Sequence, residues 1–273
     1  MHTAASNINE QNAAEAFNRQ SAIFDEIYSP NLIIQYKRKR VRDHVEKYLP
    51  AQSNILELNA GTGEDAIYFA SKGHTVHATD IAESMQQVLK KKATDHNLSQ
   101  NISTEICSFT DLANLKGRGP YDLIFSNFAG LNCTGELDKV LDSFSALLKP
   151  GGLVTMVVMP RFCLWEASLF LRGNFKTAFR RFKSTNGVKA HIEGTYFTCW
   201  YYSPSYIQSC MQQEFELLST EGLCSIVPPS YFENFPGKYP RLYTWLQEKE
   251  NHLNAKWPWK NIGDYFIISL RKK

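Results

Sequence analysis

Short apolar runs alternate with amphipathic stretches all the way from residue 54 to residue 159. The apolar runs have strand length, and the stretches between them repeat apolar residues at the helical period. Strands that alternate with helices form parallel βαβ units, so the pattern predicts an α/β fold with a doubly wound, mostly parallel sheet. Two later strands after an interruption complete a seven-stranded sheet that finishes with an antiparallel pair. The predicted strands are Ile55–Leu58, Thr75–Thr79, Ile102–Cys107, Tyr121–Asn127, Leu153–Met159, Phe215–Ser219 and Tyr265–Leu270.

A turn of small residues follows the first predicted strand, in the sequence Ile55-Leu-Glu-Leu-Asn-Ala-Gly-Thr-Gly63. Small residues let the backbone approach a ligand, and the helix that follows offers free N–H groups and the positive end of its dipole. The second predicted strand is followed directly by Asp80. In a doubly wound sheet this acid lies beside the first turn, where a carboxylate can accept both ribose hydroxyls of an adenosine.

The same turn also leaves a nicotinamide-dependent oxidoreductase open. Gly61-Thr-Gly-Glu-Asp-Ala66 satisfies the dinucleotide fingerprint, and Tyr68 and Lys72 have Tyr-x-x-x-Lys spacing. That pair falls inside the first helix after the turn, however, where it cannot face a nicotinamide across the sheet. We therefore interpret the Tyr-Lys spacing as coincidence.

Five motifs together resemble the class I S-adenosylmethionine-dependent methyltransferases, particularly the small-molecule group related to ubiquinone and biotin-pathway methyltransferases. The motifs are Phe17–Tyr28, Glu57–Gly63, Asp80–Met85, Tyr121–Asn127 and Leu148–Gly152. The resemblance implies a Rossmann-like methyltransferase fold, S-adenosyl-L-methionine as cofactor and S-adenosyl-L-homocysteine as product.

The resemblance also implies a set of cofactor contacts. In chain order these residues are Tyr28, Arg38, Asn59, Ala60, Gly61, Asp80, Ile81, Met85, Ser108, Phe109 and Asn127. Asp80 would hold the ribose, Asn127 would face the methionine moiety and the transferable methyl, and Arg38 would reach the methionine carboxylate. The chain departs from the family pattern twice, because Asn59 stands where a glycine is usual and Ser108 where an acid is usual. Asn tolerates positive φ better than most residues, and a serine leaves a hydroxyl to accept from the adenine amino group.

Three parts are expected along the chain: an N-terminal helical lid over 1–50, a cofactor-binding core over 51–160 and 203–273, and a substrate cap over 161–202. The cap holds eleven aromatic residues and follows the fifth strand, on the face where open α/β sheets bind ligands. It therefore predicts contacts with an apolar acceptor, although a small satellite core explains the rings equally well. The predicted substrate residues are Arg161, Trp165, Trp200, Tyr201 and Tyr202. His191 in the cap is the candidate general base, with a surface histidine as the alternative.

The net charge of +3 hides an uneven distribution. Residues 161–189 contain seven basic residues and one acidic residue, which favours an amphiphilic acceptor bearing a carboxylate or phosphate over a nucleic acid. Lys37-Arg-Lys-Arg40 with Arg42 forms a second basic run, which we interpret as the solvated face of a helix. Asn127-Phe-Ala-Gly130 is unlike the Asn-Pro-Pro-aromatic motif of amino-directed nucleic-acid methyltransferases, which counts against DNA as substrate.

Several classes are disfavoured by what the sequence lacks. The six cysteines form no C-x-x-C pair, and His191-Ile-Glu193 is not followed by P-C-x-x-C, so no metal is expected. Apolar runs are too short to span a membrane and no signal peptide is visible, so we expect a cytoplasmic protein. The sequence thus predicts an S-adenosylmethionine-dependent methyltransferase with a small, hydrophobic or amphiphilic acceptor. The alternatives are a nicotinamide-dependent oxidoreductase and a non-catalytic methyltransferase-fold binding protein.

Overall fold

A computed structural model of the chain describes residues 4–273, including their side chains except those of 4–7, 172 and 183–185. The strands are β1 (Asn54–Leu58), β2 (Thr75–Asp80), β3 (Ile102–Ile106), β4 (Tyr121–Ser126), β5 (Leu148–Val158), β6 (Val188–Ile192), β7 (Thr195–Cys199), β8 (Phe215–Leu223) and β9 (Tyr265–Lys272). The α-helices are α1 (Ala4–Gln20), α2 (Phe24–Tyr28), α3 (Leu32–Glu46), α4 (Glu64–Ser71), α5 (Glu83–Asp95), α6 (Leu137–Asp142), α7 (Phe144–Leu147), α8 (Leu164–Ser168), α9 (Phe175–Ala178), α10 (Pro204–Met211), α11 (Phe235–Lys238) and α12 (Pro240–Leu253). Short 3₁₀ helices cover Phe109–Asn114, Gly130–Cys133, Leu169–Arg172, Arg180–Asn186, Ser230–Phe232 and Trp259–Asn261.

Seven strands form one sheet in the order β3-β2-β1-β4-β5-β9-β8. The first five are parallel, and β9 is antiparallel to both β5 and β8. The predicted doubly wound sheet with an antiparallel ending is confirmed. Because the strand order reverses between β1 and β4, the carboxyl ends of these two strands border a crevice in which such sheets bind ligands.

Successive residues of β1 enter different cores, as the two-residue period of a strand requires. Ile55 packs among the buried side chains of α3, α4 and α5, whereas Leu56 packs among those of α6 and α10 on the opposite face. Helices therefore cover both faces of the sheet. The turn after β1 is held between two packed layers.

The N-terminal region, predicted as a helical lid, contains the three helices α1, α2 and α3. Helix α3 begins at Leu32 because the Asn31 side chain accepts hydrogen bonds from the N–H groups of Ile33 (3.0 Å) and Ile34 (3.2 Å). Helix α1 packs against β7 and α5. It therefore connects the segment that follows β5 with the helices beside the first turn.

The segment predicted as a substrate cap contains a hairpin that the pattern analysis missed. Strands β6 and β7 pair antiparallel around Glu193 and Gly194, whose φ angles are +45° and +79°. Two consecutive positive φ angles are the signature of the tight turns that join hairpin strands.

A second insertion, between β8 and β9, was not predicted. It carries α11 and α12 and packs on α3 through a small apolar cluster in which the rings of Tyr36 and Tyr243 lie 6.4 Å apart. No helix within residues 4–273 has both the length and the apolar character needed to cross a bilayer.

Candidate active site

Three residues of the turn after β1 adopt the left-handed backbone conformation. Asn59, Gly61 and Gly63 have φ angles of +48°, +55° and +77°. A Cβ atom on Gly63 would lie 2.0 Å from Leu89 Cδ1, so this glycine is required by close packing as well as by its φ angle. The turn leads directly into α4, whose N-cap residue is Gly63.

Asn59 adopts a positive φ angle, and its side chain also links the turn to β4 by hydrogen bonds. Its Nδ2 donates to the carbonyl of Asn127 (3.0 Å), and its Oδ1 accepts from Ser126 Oγ (2.7 Å). A Cβ atom on Gly130 would lie 2.2 Å from Asn59 Cγ. The side chain therefore fills a space between β1 and β4 that a glycine would leave empty.

Asp80 at the end of β2 lies beside this turn, where the doubly wound fold predicts it. Its two carboxylate oxygens accept from the backbone N–H groups of Gly61 (2.8 Å) and Ala82 (2.8 Å). Burial raises the pKa of Asp80, against the lowering effect of these backbone donors. Both carboxylate oxygens keep a further lone pair for a ligand hydroxyl.

Two adjoining cavities border the turn. The smaller, of about 140 Å³, is lined by Asp80, Ile81, Met85, Ser108 and Phe109, together with residues of α1. The larger, of about 250 Å³, is lined by Tyr28, Arg38 and Ala60 among others. All eleven predicted cofactor residues line one cavity or both. The residues common to the two cavities are Phe17, Phe24, Asn59, Gly61, Asn127 and Phe128.

A carboxylate from α1 stands beside Ser108, where the family usually carries an acid. Glu10 Oε2 accepts from the hydroxyls of Ser108 (2.5 Å) and Thr110 (2.8 Å). Glu10 is buried, and its Oε1 has no hydrogen-bond partner among the residues that the structure describes. Sequence analysis missed Glu10 because it lies 98 residues before Ser108.

Asp65 in α4 forms ion pairs with two arginines next to Asn127. Its carboxylate accepts from Arg38 Nη1 (3.1 Å), Arg42 Nε (2.7 Å) and Asn127 Nδ2 (2.8 Å). Burial alone would raise the pKa of Asp65, but the two guanidinium charges and the donated hydrogen bonds lower it. Two guanidinium groups share one carboxylate, so the net charge of these three side chains is positive.

Glu57 in β1 is a second buried acid on the larger cavity. Burial, followed by the charge of Asp65, raises the pKa of Glu57 well above its usual range. Its Oε2 has no hydrogen-bond partner among residues 4–273. A buried carboxyl oxygen without a partner, on the wall of a cavity, favours a ligand that donates to it.

The backbone next to Asn127 is strained. Phe128 and Ala129 have φ angles of +49° and +64°, in a region that side chains other than glycine rarely adopt. Asn127 Oδ1 accepts from the Phe128 N–H (2.8 Å), and Val157 accepts from the Ala129 N–H (3.0 Å), which holds both residues in place. The Phe128 ring lines both cavities.

Most of the basic run of α3 is buried or half-buried, with Lys39 as its exposed member, so the interpretation of the whole run as a solvated face is wrong. Lys37 is 1% exposed and Arg40 is 8% exposed. Arg40 donates to Glu221 (2.8 Å), and Lys37 lines the larger cavity. The three arginines of the run pair with acids on other elements, because α3 lies between α4 and the β8–β9 insertion. Lys39 pairs with Asp43 on α3 itself.

None of the predicted substrate residues lines either cavity. His191 is exposed on β6, where its ring centroid lies 4.4 Å from that of Tyr196. Trp200 packs against the core under α6, and Tyr201 and Tyr202 are buried. Arg161 donates to the Tyr201 carbonyl (3.2 Å), and Trp165 lies against Phe232.

Two arginines of the predicted basic cap form internal ion pairs with buried acids. Arg180 Nε donates to Glu166 (2.7 Å), and Arg181 Nη2 donates to Glu166 (2.6 Å) and to Asp264 (2.8 Å). Burial would raise the pKa of Glu166, but these arginines lower it. Cys163 joins Glu166 and Asp264 in a buried cluster of potential metal ligands, yet both carboxylates already bind arginine. The side chains of two further basic residues lie outside the described part, namely Arg172 and Lys183.

Comparison with known proteins agrees with this geometry. Residues 55–152 match the family described as methyltransferase domain. The tRNA 5-carboxymethoxyuridine methyltransferase of Escherichia coli strain K12 is 29% identical over 108 residues, which are 40% of this chain and 41% of that protein. The ubiquinone/menaquinone biosynthesis C-methyltransferase UbiE of Rickettsia peacockii is 29% identical over 118 residues, 41% of this chain and 46% of that protein. The chain thus spans less than half the length of these curated relatives.

The fold also resembles the solved structure of a Burkholderia thailandensis 1,6-didemethyltoxoflavin-N1-methyltransferase with bound 1,6-didemethyltoxoflavin and S-adenosylhomocysteine. The two chains superpose with a TM-score of 0.59 at 14% identity, covering 100% of this chain and 92% of the other. At this identity the similarity shows the fold.

The sheet topology and the turn with Asp80 agree with the methyltransferase domain that residues 55–152 match. The nicotinamide alternative is not supported, because Tyr68 binds Glu46 instead of lining either cavity.

Proposed function

We propose that this protein transfers a methyl group from S-adenosylmethionine to a small acceptor with an apolar or aromatic surface. The observation that carries this proposal is the pair of cavities that meet at Asn59, Gly61 and Asn127. One cavity has polar groups suited to an adenosine, and the other extends from the same turn toward aromatic side chains.

The smaller cavity fits the adenosine part of the cofactor. Asp80 would accept the ribose hydroxyls, while Ile81 and Met85 supply apolar contacts for the adenine. We propose that Glu10, through its unpartnered oxygen, and Ser108 accept from the adenine amino group. Glu10 would then take the place of the acid that is missing at position 108.

The methionine part fits the charges on the larger cavity. Its ammonium group would donate to Glu57, whose buried oxygen has no partner among the described residues. Its carboxylate would lie near Arg38, where two guanidinium groups share the single charge of Asp65. An ammonium beside Glu57 would also favour the ionised form of this carboxyl group, which burial disfavours.

When bound, S-adenosylmethionine supplies an electrophilic methyl carbon, so the chain must chiefly hold the acceptor in line and exclude water. Phe128 and Tyr265, whose rings pack edge to face with their centroids 6.3 Å apart, both line the larger cavity. At about 250 Å³, shared with the methionine end, the cavity suits a molecule of one ring or a short chain. The acceptor proposed here is accordingly small.

Binding of the cofactor is tested by thermal unfolding with S-adenosylhomocysteine. At about 100 times its Kd the ligand should add about 2.7 kcal/mol to the free energy of unfolding. Asp80→Asn should abolish most of this shift, whereas Asp95→Asn, on the exposed end of α5, should keep it. A shift with NADH and none with S-adenosylhomocysteine would overturn the proposal.

Methyl transfer is tested by release of S-adenosylhomocysteine with phenols, quinols and benzoates as acceptors. Bulk tRNA is included because a relative of this chain methylates tRNA. Turnover with tRNA alone would replace the small acceptor by a nucleic acid. Cofactor binding without turnover on any acceptor would favour the non-catalytic alternative.

We also propose that the protein works in a reducing compartment such as the cytoplasm. All six cysteines are free, and Cys163, Cys199 and Cys224 are buried. Burial raises the pKa of Cys163 to about 11, which keeps its thiol protonated and unreactive.

A further inference from the structure

Lys37 is a basic side chain held out of water on the wall of the larger cavity. Its side chain is 2% exposed, and its Nζ lies 4.6 Å from the ring centroid of Tyr265 and 5.5 Å from that of Phe128. Both rings line the same cavity. Ring faces attract a cation but accept no ordinary hydrogen bond, so they leave the ammonium donors unused.

The hydrogen bonds of Lys37 are incomplete among the residues that the structure describes. Its Nζ donates to Ser230 Oγ (3.2 Å), and Ser230 also lines the cavity. The nearest carboxylate oxygen, Asp264 Oδ2, lies 3.7 Å away, beyond hydrogen-bond distance. An ammonium has three donors, and a buried cation is strongly favoured to use them.

The acidic groups in the ion-pair network of Lys37 do not neutralise its basic groups. Asp264 is shared with Arg181, and Arg181 and Arg180 share Glu166. The connected network therefore has three basic groups and two acidic ones. Burial raises the pKa of Tyr265 on β9, and likewise raises the pKa of Cys224 after β8, so neither neighbour supplies a negative charge.

We propose that Lys37 binds the ionised oxygen of a phenolic methyl acceptor, with Ser230 as second partner and the rings of Phe128 and Tyr265 on the acceptor ring. On binding, the phenol O–H bond breaks and its proton leaves to solvent, while the oxygen keeps the electron pair and Lys37 stays protonated. This inference rests on the proposed methyl transfer and names the acceptor class for it. It also makes a separate general base unnecessary.

The probe is 4-nitrophenol, whose phenolate has its own visible absorption band, titrated into the full chain with and without S-adenosylhomocysteine. The protein should increase the phenolate band at constant pH. Lys37→Met and Lys37→Gln should weaken binding at least about tenfold and remove the increase, since the charge-assisted contact is lost. Lys39→Met, on the exposed side of α3, should behave as wild type. Nitrobenzene, which carries no ionisable oxygen, should bind wild type and the Lys37 variants alike.

Unchanged phenolate binding in both Lys37 variants would overturn the assignment, and so would failure of wild type to bind 4-nitrophenol. The two proposals fail separately. If wild type shows no thermal shift with S-adenosylhomocysteine, the result counts against methyl transfer. The titration of 4-nitrophenol without S-adenosylhomocysteine still tests whether Lys37 binds the phenolate. A folded Lys37 variant with a normal S-adenosylhomocysteine shift and no increase in the phenolate band is the expected result.

Discussion

Charged side chains around the two cavities are buried and paired with partners distant in sequence. Asp65 holds Arg38 and Arg42, and Glu10 holds the hydroxyl of Ser108. Buried charges are tolerated only where such partners exist, so each pair also fixes where its helix lies. The atoms left without partners then mark the places for ligand groups.

At the scale of single residues, Glu10 should decide whether the site distinguishes adenine from hypoxanthine. Glu10→Ala should weaken S-adenosylhomocysteine binding by about tenfold or more, because a hydrogen bond to a charged group is worth about 1.5–3 kcal/mol. S-inosylhomocysteine, which lacks the amino group, should bind both proteins equally. Calorimetric titration of the two ligands measures the difference.

Glu15→Ala is the matched control, because Glu15 lies on the same helix but is exposed and paired with Arg19. Equal weakening of both ligands by Glu10→Ala would mean that Glu10 only holds Ser108 and Thr110 in place.

Among the elements, α1 joins the two regions predicted as lid and cap. Ala13, Ala14 and Phe17 line the smaller cavity. Elsewhere on the helix, Asn9 exchanges hydrogen bonds with the backbone of Thr198 in β7 (3.1 and 2.6 Å). The hairpin therefore supports α1 and reaches the cavity only through it, which explains why the cap residues do not line the site.

Helix α2 has five residues and none of them is buried, so it depends on side-chain contacts. Asp25 accepts from Thr62 Oγ1 (2.7 Å) in the turn after β1 and from Lys92 Nζ (3.0 Å) in α5. Asp25→Ala should raise the Kd for S-adenosylhomocysteine about two- to fivefold, as expected for a partly exposed ion pair. The thermal midpoint without ligand should change little.

The control is Glu26→Ala, an exposed neighbour on the same helix. If both variants bind the ligand equally well, Asp25 does not hold α2 over the cavity.

Over the whole molecule, Glu221 in β8 links α3 to the β8–β9 insertion. It accepts from Arg40 (2.8 Å), Lys47 (3.2 Å) and Asn254 (2.6 Å) and bonds to His44 Nδ1 (2.9 Å). Burial would raise the pKa of Glu221, but the hydrogen bond from His44 and the basic charges lower it to about 2.

Because the pKa of Glu221 is lower in the folded state, its stabilising effect is complete above its usual pKa of about 4.5. The effect should be lost as the pH falls from there toward about 2. The difference in unfolding free energy between wild type and Glu221→Gln should therefore shrink over this range, as urea denaturation at several pH values can measure.

Glu216→Gln, an exposed position on the same strand, should show no such trend. A difference for Glu221→Gln that stays constant down to the lowest pH would contradict the assignment.

Much of the central fold follows from local pattern. The strand–turn–helix order, the antiparallel ending and the positions of Asp80 and Asn127 could be predicted because each depends on neighbours close in sequence and on the handedness of βαβ units. The β6–β7 hairpin was harder to predict, because Glu193-Gly194 is not one of the Asn-Gly or Asp-Gly pairs typical of such turns. It was missed because aromatic content drew the interpretation toward a cap.

The remaining site residues could not be predicted in this way. A basic run such as Lys37–Arg40 has the same local pattern whether it faces solvent or acids on another element. Glu10 meets Ser108, and Lys37 meets Ser230, only after elements about 100 and about 190 residues apart have packed together. Composition and periodicity determine the sheet and the turn after β1. Long-range packing alone determines which buried charged groups are paired and which remain available to a ligand.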